Sequence, residues 1–285
     1  MAKGVSLHIG LNKVDPSIYG SEQPLKAAVN DALSMSEIAR SQNYIRHLLI
    51  NEQATSDALT AFMLQQASDL SRGDVVLLTY AGHGTNATFD LEGDEEDGLD
   101  EAWCLYDGLF LDDQVYSLLK KFKAGVRVKI ITDSCQNATI YRAFLAQFSD
   151  ENVAERKIWN PWEDEDIDID FRFLSDEIAM EVVQNSKEKY AAAKADSQRD
   201  RNKLTHASIE VLAACQDYQL AADGIVNGYF TTHLLKTWNE GGYTGNNFDF
   251  FPAIKSSMRR GNQTPNRAFL GPQHRKFMSG KPFEI

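Results

Sequence analysis

One cysteine and one histidine stand where two β-strands are predicted to end. Cys135 comes just after the β-branched run 126–132, and His83 follows the apolar run 74–80 between two glycines. Such runs are typical of strands buried on both faces of a parallel sheet, and reactive groups of α/β folds lie just past the carboxyl ends of such strands. If the two strands are parallel neighbours, the thiol and the imidazole emerge side by side as a nucleophile and its base.

Each residue alone also has a structural explanation. A cysteine at a strand end is often a small buried hydrophobic residue, and a histidine between glycines is often part of a turn. The other histidines lack a comparable context, because they lie in a polar linker or on predicted strands, helices and the tail: His206, His8, His47, His233 and His274. The two strand ends together favour a catalytic pair of Cys135 and His83.

The order of the predicted elements indicates an α/β fold. Strands over 5–11, 44–50 and 74–80 alternate with helices that begin at Pro24 and Thr55, which requires a parallel sheet with right-handed crossovers. A long acidic loop is expected from Thr85 to about Asp107. The remaining strands are predicted over 126–132, 207–214 and 266–271, and the remaining helices over 112–122, 139–148, 173–195, 228–238 and 248–258.

Composition limits the classes of function. The 285 residues are 43% hydrophobic and contain no apolar run near 18 residues, so we expect one large or two small globular units and no membrane-spanning helix. The N-terminal residues lack a signal-peptide layout, which predicts a cytoplasmic protein. Three cysteines are too few, and odd in number, for a disulfide framework: Cys104, Cys135 and Cys215.

The acidic charge is concentrated in two patches. Eight acids lie within residues 90–101 and six within 163–170, in a chain whose net charge is −12. That balance argues against a nucleic-acid partner. Cations or basic substrates are the natural partners of such patches.

Several motifs resemble the metacaspase and orthocaspase branch of the caspase-like peptidases. Y-A-G-H-G at 80–84 and D-S-C at 133–135 are similar to that branch's Y-S-G-H-G and D-S-C-H-S-G, and the 52-residue separation of His83 and Cys135 is close to the roughly 50 of caspases. A-C-Q-D-Y-Q-L-A-A-D at 214–223, N-G-Y-F-T at 227–231 and Q-T-P at 263–265 resemble the small-subunit motifs. The resemblance therefore extends from Gly10 to about Gly271.

The resemblance implies a single caspase-like domain over 1–285, with a six-stranded, mostly parallel sheet and helices on both faces. Residues 1–148 would be large-subunit-like, 149–205 a linker, and 206–285 small-subunit-like. The implied activity is that of a cysteine endopeptidase that cleaves proteins after Arg or Lys, with Cys135 as nucleophile and His83 as base. By resemblance, the amides of Gly84 and Cys135 bind the oxyanion, and Asp31 and Asp133 form the acidic pocket that binds the substrate's basic side chain.

The sequence departs from the family motifs at several positions. Ala28 and Ala81 replace a Cys and a Ser of the pocket, and Gln136-Asn137-Ala138 replaces the H-S-G that follows the nucleophile. An inert caspase-like module that acts by binding therefore remains an alternative. A nucleotide-binding or oxidoreductase protein is disfavoured, because no strand is followed by G-x-G-x-x-G and the chain has no P-loop.

Regulation is suggested by acidic and basic stretches. Oxygen ligands at high density suit Ca²⁺, but the loop 90–101 is not an EF-hand because its sixth position is Glu95 rather than Gly. The resemblance implies no required cofactor and places a calcium site at Asp97, Asp112 and Asp113, although Arg142 replaces a further ligand. It also implies a monomer and leaves room for an activating partner protein. Basic linker residues are candidate self-cleavage sites: Arg156, Lys157, Lys194, Arg199, Arg201 and Lys203.

Overall fold

A computed structural model describes residues 2–85, 101–135, 170–200, 205–215, 219–258, 263–272 and 275–285. Its strands form one six-stranded and one three-stranded sheet. The order in the large sheet is β2-β1-β3-β7-β8-β9, in which the first five strands are parallel and β9 is antiparallel to β8. The strands are β1 (Gly4–Gly10), β2 (Ile45–Ile50), β3 (Val75–Ala81), β4 (Gly84–Thr85), β5 (Ala102–Leu105), β6 (Gly108–Leu111), β7 (Arg127–Asp133), β8 (Ser208–Ala213) and β9 (Asn266–Leu270).

Helices cover both faces of the large sheet. Alternate residues of β1, β3 and β7 enter an apolar core with α3, α4 and α5, while the opposite face of the sheet packs with α2, α7 and α8. None of the helices in the described residues is long and apolar enough to cross a lipid bilayer. The helices are α1 (Pro16–Tyr19), α2 (Ala28–Ser41), α3 (Ser56–Asp69), α4 (Asp112–Leu119), α5 (Asp176–Asn185), α6 (Lys187–Asp200), α7 (Tyr229–Trp238), α8 (Asn247–Ser257) and α9 (Arg275–Ser279).

The central strands are buried along their whole length, as their β-branched sequences predict. One charged residue within β7, Lys129, is paired inside the sheet. Lys129 lies opposite Glu210 of β8, and their charged groups are 3.0 Å apart in a site that excludes solvent. Buried charges are tolerated only when they are paired in this way.

The register of the sheet sets the position of the candidate site. In the parallel pair β3–β7, Ala81 lies opposite Asp133. His83 and Cys135 each come two residues after these positions, so both leave the sheet at the same edge, where the carboxyl ends of the strands meet. The sequence-based fold is thereby confirmed as an α/β fold with a six-stranded, mostly parallel sheet.

Three local predictions were wrong. The helix expected to begin at Pro24 begins only at Ala28. The expected loop from Thr85 to Asp107 includes β5, which forms the small antiparallel sheet with β4 and β6. The expected helix over 173–195 begins only at Asp176, and Ser175 caps it through a hydrogen bond from the Ile178 N–H. At β5 and at Phe173, pairing with residues distant in the sequence overrides the local sequence pattern. The expected helix over 139–148 lies outside the described residues.

Candidate active site

His83 is held in one tautomer by a backbone carbonyl. Its Nε2 lies 2.9 Å from the carbonyl oxygen of Gln23, which can only accept, so Nε2 carries the hydrogen. The neutral ring therefore presents Nδ1 as its basic nitrogen, and Nδ1 is buried without a hydrogen-bond partner among the described residues. Burial lowers the pKa of His83 to about 4, and the nearby Arg172 guanidinium lowers it further against the opposing hydrogen bond to Gln23. The imidazole is thus a neutral base at physiological pH.

Cys135 is buried beside the same strand ends. Its Sγ accepts a hydrogen bond from the Ala221 N–H at 2.9 Å, and no hydrogen bond joins it to His83 in the part of the chain that the structure describes. Burial raises the pKa of the Cys135 thiol to about 12, which keeps it protonated. The nucleophile is therefore at rest in this conformation.

A segment of the chain itself occupies the cleft between these residues. We call residues 170–174 the cleft segment. Phe171 pairs antiparallel with Ala222, and Phe173 pairs parallel with Gly84, so the segment is extended between two backbone walls. The Arg172 N–H donates to the Ala221 carbonyl at 3.0 Å, and the Leu174 N–H donates to the Gly84 carbonyl at 2.9 Å. A peptide bound in extended form has this arrangement.

The carbonyl oxygen of Arg172 accepts two backbone hydrogen bonds at the strand ends. The donors are the N–H groups of Gly84 and Cys135, at 3.0 and 3.2 Å. These are the two amides that the sequence motifs place in an oxyanion hole. Gly84 is required here by close approach, since a Cβ at this position would lie 2.2 Å from the Cys135 carbonyl oxygen. The pair of donors therefore polarises the carbonyl of the Arg172–Phe173 bond.

The side chain of Arg172 is fully buried among three carboxylates. Its guanidinium lies 2.6 Å from Asp31, 2.9 Å from Asp223 and 3.2 Å from Asp133, and it also donates to the Asp133 carbonyl at 2.7 Å. Although burial disfavours its charged form, the three carboxylates raise the pKa of Arg172 above its ordinary value. Each edge of the guanidinium meets an acceptor, which is the recognition geometry that arginine favours.

The pocket acids are positioned by neutral donors as well. Asp31 stands in the first turn of α2 and accepts from the Asn227 side chain and the Gly228 N–H at 2.9 and 3.0 Å. Asp133, the last residue of β7, accepts from the N–H and hydroxyl of Thr231. Burial raises the pKa of Asp31, and the neighbouring Asp133 adds to this against the opposing charge of Arg172. The charge of Arg172 therefore favours the ionised form of Asp31 in this buried site.

Gly228 forms a wall of the pocket. A Cβ at this position would lie 2.5 Å from the Asp133 carboxylate and 2.7 Å from the Arg172 guanidinium. The downstream Gln263, from the Q-T-P motif, supports the opposite side of the cleft, because its side-chain carbonyl accepts from the Ala222 N–H and its amide donates to the Ala214 carbonyl. The motifs of the second half of the chain thus build the cleft around the nucleophile.

The sequence analysis named five of the residues that meet here, and it missed three others. The structure brings together His83, Gly84, Cys135, Asp31 and Asp133. Asp31 is buried rather than exposed on its helix. Asp223 was quoted within a motif but given no role, and Gln23 carried no signal. Arg172 was overlooked because its neighbour Phe173 was assigned to a helix, although a lone arginine directly after an acidic patch could have identified it.

The predicted calcium ligands lie partly within the described residues. Asp112 and Asp113 begin α4, and the Asp113 N–H donates to the Asp112 side chain. Within the described residues, no group of three or more acidic, histidine or cysteine side chains is arranged to hold a metal ion. Outside those residues lie Asp97, Arg142, the loop Gln136–Ala138, and the linker residues Arg156, Lys157, Arg201 and Lys203. Calcium binding therefore stays a prediction.

A parallel α/β sheet that ends in a cysteine, a histidine and an acidic pocket defines a caspase-type cysteine peptidase fold. The family model for the caspase domain matches residues 3–274, so the chain belongs to the caspase-domain (C14) peptidase family. Metacaspase-1 of Schizosaccharomyces pombe is 26% identical over 84% of this chain and 59% of that protein, and metacaspase-1 of Saccharomyces cerevisiae is 24% identical over 79% and 56%. The chain thus spans a little over half the length of these relatives.

A solved structure is also similar to this chain. The crystal structure of a protein from Geobacter sulfurreducens matches with a TM-score of 0.81 and 34% identity, and the match covers 99% of both chains. The similarity therefore extends over nearly the whole length of both chains.

Proposed function

We propose that this protein is a cysteine endopeptidase that cleaves polypeptides after arginine, with lysine accepted less well. The observation that carries the proposal is the buried guanidinium of Arg172 between Asp31, Asp133 and Asp223, with its carbonyl oxygen on the two strand-end amides. An arginine of a substrate would take the same place. An acidic side chain would instead meet three like charges, which opposes cleavage after aspartate.

Arginine is favoured over lysine because the pocket uses the whole guanidinium. Nε and Nη2 of Arg172 donate to Asp223, Nη2 donates to Asp31, and Nη1 donates to the Asp133 carbonyl. An ammonium group is a single point with three donors and cannot reach all of these acceptors at once. We expect a preference of roughly tenfold, because each charged hydrogen bond contributes about 1.5–3 kcal/mol and lysine retains most of them.

The reaction uses the two strand-end residues. The Cys135 thiol leaves the Ala221 amide and transfers its proton to Nδ1 of His83, and the sulfur then attacks the carbonyl carbon of the arginine. The developing oxyanion stays on the N–H groups of Gly84 and Cys135. The C–N bond breaks as His83 returns the proton to the leaving amine, and water hydrolyses the thioester with His83 as base. Gln23 keeps the ring in the required tautomer throughout.

Self-processing of the chain belongs to the same proposal. The bond between Arg172 and Phe173 occupies the position of a scissile bond, so we propose cleavage there rather than at the linker residues that the sequence indicated. Lys194 and Arg199 lie on the backbone of helix α6, which cannot enter an extended cleft without unfolding. The uncut chain is then a zymogen whose cleft is filled by its own segment.

The experiment is a peptide panel combined with mapping of the cut chain. Fluorogenic peptides that end in Arg, Lys or Asp are compared, and the protein is incubated and examined by intact mass and N-terminal sequencing. We expect cleavage in the order Arg, then Lys, with none after Asp, and a new N-terminus at Phe173. Both activities should vanish in Cys135→Ala, whereas Cys104→Ala, a matched buried cysteine, should keep them. Cleavage only after Asp would overturn the proposal.

The inert binding module is the second candidate. It is favoured by one observation, namely that the Cys135 Sγ accepts a hydrogen bond from the Ala221 N–H and, within the described residues, makes none with His83 while the cleft is filled. The two candidates predict different peptide cleavage once the arginine of the cleft segment no longer fills the pocket. Absence of peptide cleavage in both the native chain and a folded Arg172→Ala variant would favour the inert module.

A further inference from the structure

The cleft segment is also fixed upstream of its arginine. In peptidase terms Arg172 occupies position P1, Phe171 P2 and Asp170 P3. The Asp223 N–H donates to the Asp170 carbonyl at 2.8 Å, and the Arg172 N–H donates to the Ala221 carbonyl, so these three residues form a short antiparallel strand on residues 221–223. This pairing gives the P3 side chain a defined place beside the pocket.

Within the described residues, the Lys26 side chain faces that place. The Lys26 ammonium lies 2.5 Å from the Asp170 carboxylate. The backbone of Lys26 is held on both sides, because its N–H donates to the Asp223 carboxylate at 2.7 Å and its carbonyl accepts from the Asn12 side chain at 3.2 Å. Lys26 therefore stands in the loop before α2 as a fixed part of the cleft rim, attached directly to a pocket acid.

The charges around Lys26 favour an acidic side chain at the P3 position of a substrate. The pocket below contains three acidic side chains beside the single positive charge of a P1 arginine, so acidic groups outnumber basic ones at this end of the cleft. Lys26 is the basic residue that the structure places against the P3 carboxylate, and it offsets the repulsion that an acidic P3 residue would otherwise meet. Phe171 is half-buried against the core around Cys135 and Ala221, so P2 lies on an apolar wall.

We infer that Lys26 is a specificity-determining residue that selects an acidic side chain at P3, in substrates of the form acid–apolar–Arg. This inference rests on the proposed function. The Lys26 and Asp170 side chains are 63% and 44% exposed, so the preference is modest. Exposed pairs contribute up to about 1 kcal/mol, which corresponds to roughly fivefold in rate, and salt screens them.

The test compares kcat/KM for the capped fluorogenic peptides Asp-Phe-Arg, Ala-Phe-Arg and Lys-Phe-Arg. We expect the native chain to prefer Asp over Lys at P3 by about three- to tenfold, and the preference to shrink in 0.5 M NaCl. Lys26→Glu should reverse the order. Lys3→Glu makes the same charge change at the amino-terminal edge of the sheet, far from the cleft, and should leave the order unchanged.

Each outcome decides the inference. Equal rates for the three peptides, or the same order in native protein and Lys26→Glu, would overturn it while the preference for Arg at P1 stands. If no peptide is cleaved by any form, the proposed function fails. Binding of the same labelled peptides to the Cys135→Ala, Arg172→Ala chain, measured by fluorescence polarisation, then decides the P3 preference alone, with a tighter Asp peptide supporting it and equal affinities overturning it.

Discussion

Removal of the Arg172 side chain should weaken the fold and open the cleft at the same time. Arg172→Ala leaves Asp31, Asp133 and Asp223 without the cation that lies within 3.2 Å of each of them. Breaking a buried ion pair from one side costs about 3–5 kcal/mol. Because the emptied pocket can admit water and protons, we expect a loss near the lower limit, about 3 kcal/mol, and a fall in Tm of roughly 5–10 °C.

The same variant should be the more active enzyme towards added peptides. A tethered segment competes at an effective concentration of about 1 mM or more. If an arginine peptide binds with a Kd of about 10 μM, within the range typical of enzymes, the segment outcompetes it by roughly a factor of 100 at low peptide concentration. The uncut native chain should therefore show about 100-fold lower kcat/KM than Arg172→Ala.

The assay uses freshly purified full-length protein at 15 °C, where a destabilised variant remains folded. Circular dichroism and Tm establish folding, and an arginine fluorogenic peptide measures activity. Arg172→Lys should give an intermediate result, because it keeps the charge but loses the paired contacts. Arg40→Ala, which breaks an exposed pair with Glu37, is the control and should change neither quantity. A folded Arg172→Ala chain that cleaves the peptide no faster than the uncut native chain would refute the reasoning.

Three further outcomes follow from the same geometry. Gly228→Ala should lower kcat/KM for arginine peptides by at least about 100-fold, because its Cβ would lie 2.7 Å from the guanidinium. Arginine binds best when the pocket acids are ionised, and the pKa of Asp31 is raised. The KM for an arginine peptide should therefore fall as the pH rises from 5 to 8, which a pH profile of the kinetics would measure. If the predicted calcium site exists, Asp112→Asn with Asp113→Asn should remove Ca²⁺ binding measured by calorimetry.

Each of these outcomes can fail in a distinct way. Unchanged kinetics in a folded Gly228→Ala variant would mean that the arginine does not enter this pocket. A KM that stays constant from pH 5 to 8 would contradict the idea that arginine binding depends on ionisation of Asp31. Asp31→Asn has no carboxyl group to titrate and is the control for this profile. Native protein that binds no Ca²⁺ would end the calcium prediction.

Much of the architecture was predictable from sequence because each central strand can be recognised from its own apolar residues. The β-branched runs before His83 and Cys135 are buried on both faces and are long enough to be recognised without their partners. By contrast, β5 is four residues long and is defined by its antiparallel neighbours. So short a strand has no recognisable pattern of hydrophobic and polar residues, so only the three-dimensional structure shows that it pairs with β4 and β6.

The candidate site divides in the same way. His83, Cys135, Asp31 and Asp133 stand in motifs at strand ends or at a helix start, where the element itself fixes the position. Asp223 reaches the same pocket from a loop 192 residues after Asp31 along the sequence. Its partner is a guanidinium supplied by yet another segment. A short stretch of sequence cannot predict a contact between side chains from segments so far apart in the chain.

The sequence by itself determined the fold, because the central strands are defined by short-range patterns of burial. Strand-end positions predicted His83 and Cys135 as a catalytic pair, and the motif resemblance predicted Asp31 and Asp133 as pocket acids. Only the tertiary structure decided that Arg172 fills the pocket and that its carbonyl lies on the strand-end amides. Local sequence around Phe173 favours a helix, but three buried carboxylates and four backbone hydrogen bonds along residues 171–174 hold the chain extended instead. Those interactions exist only after the two halves of the sheet have come together.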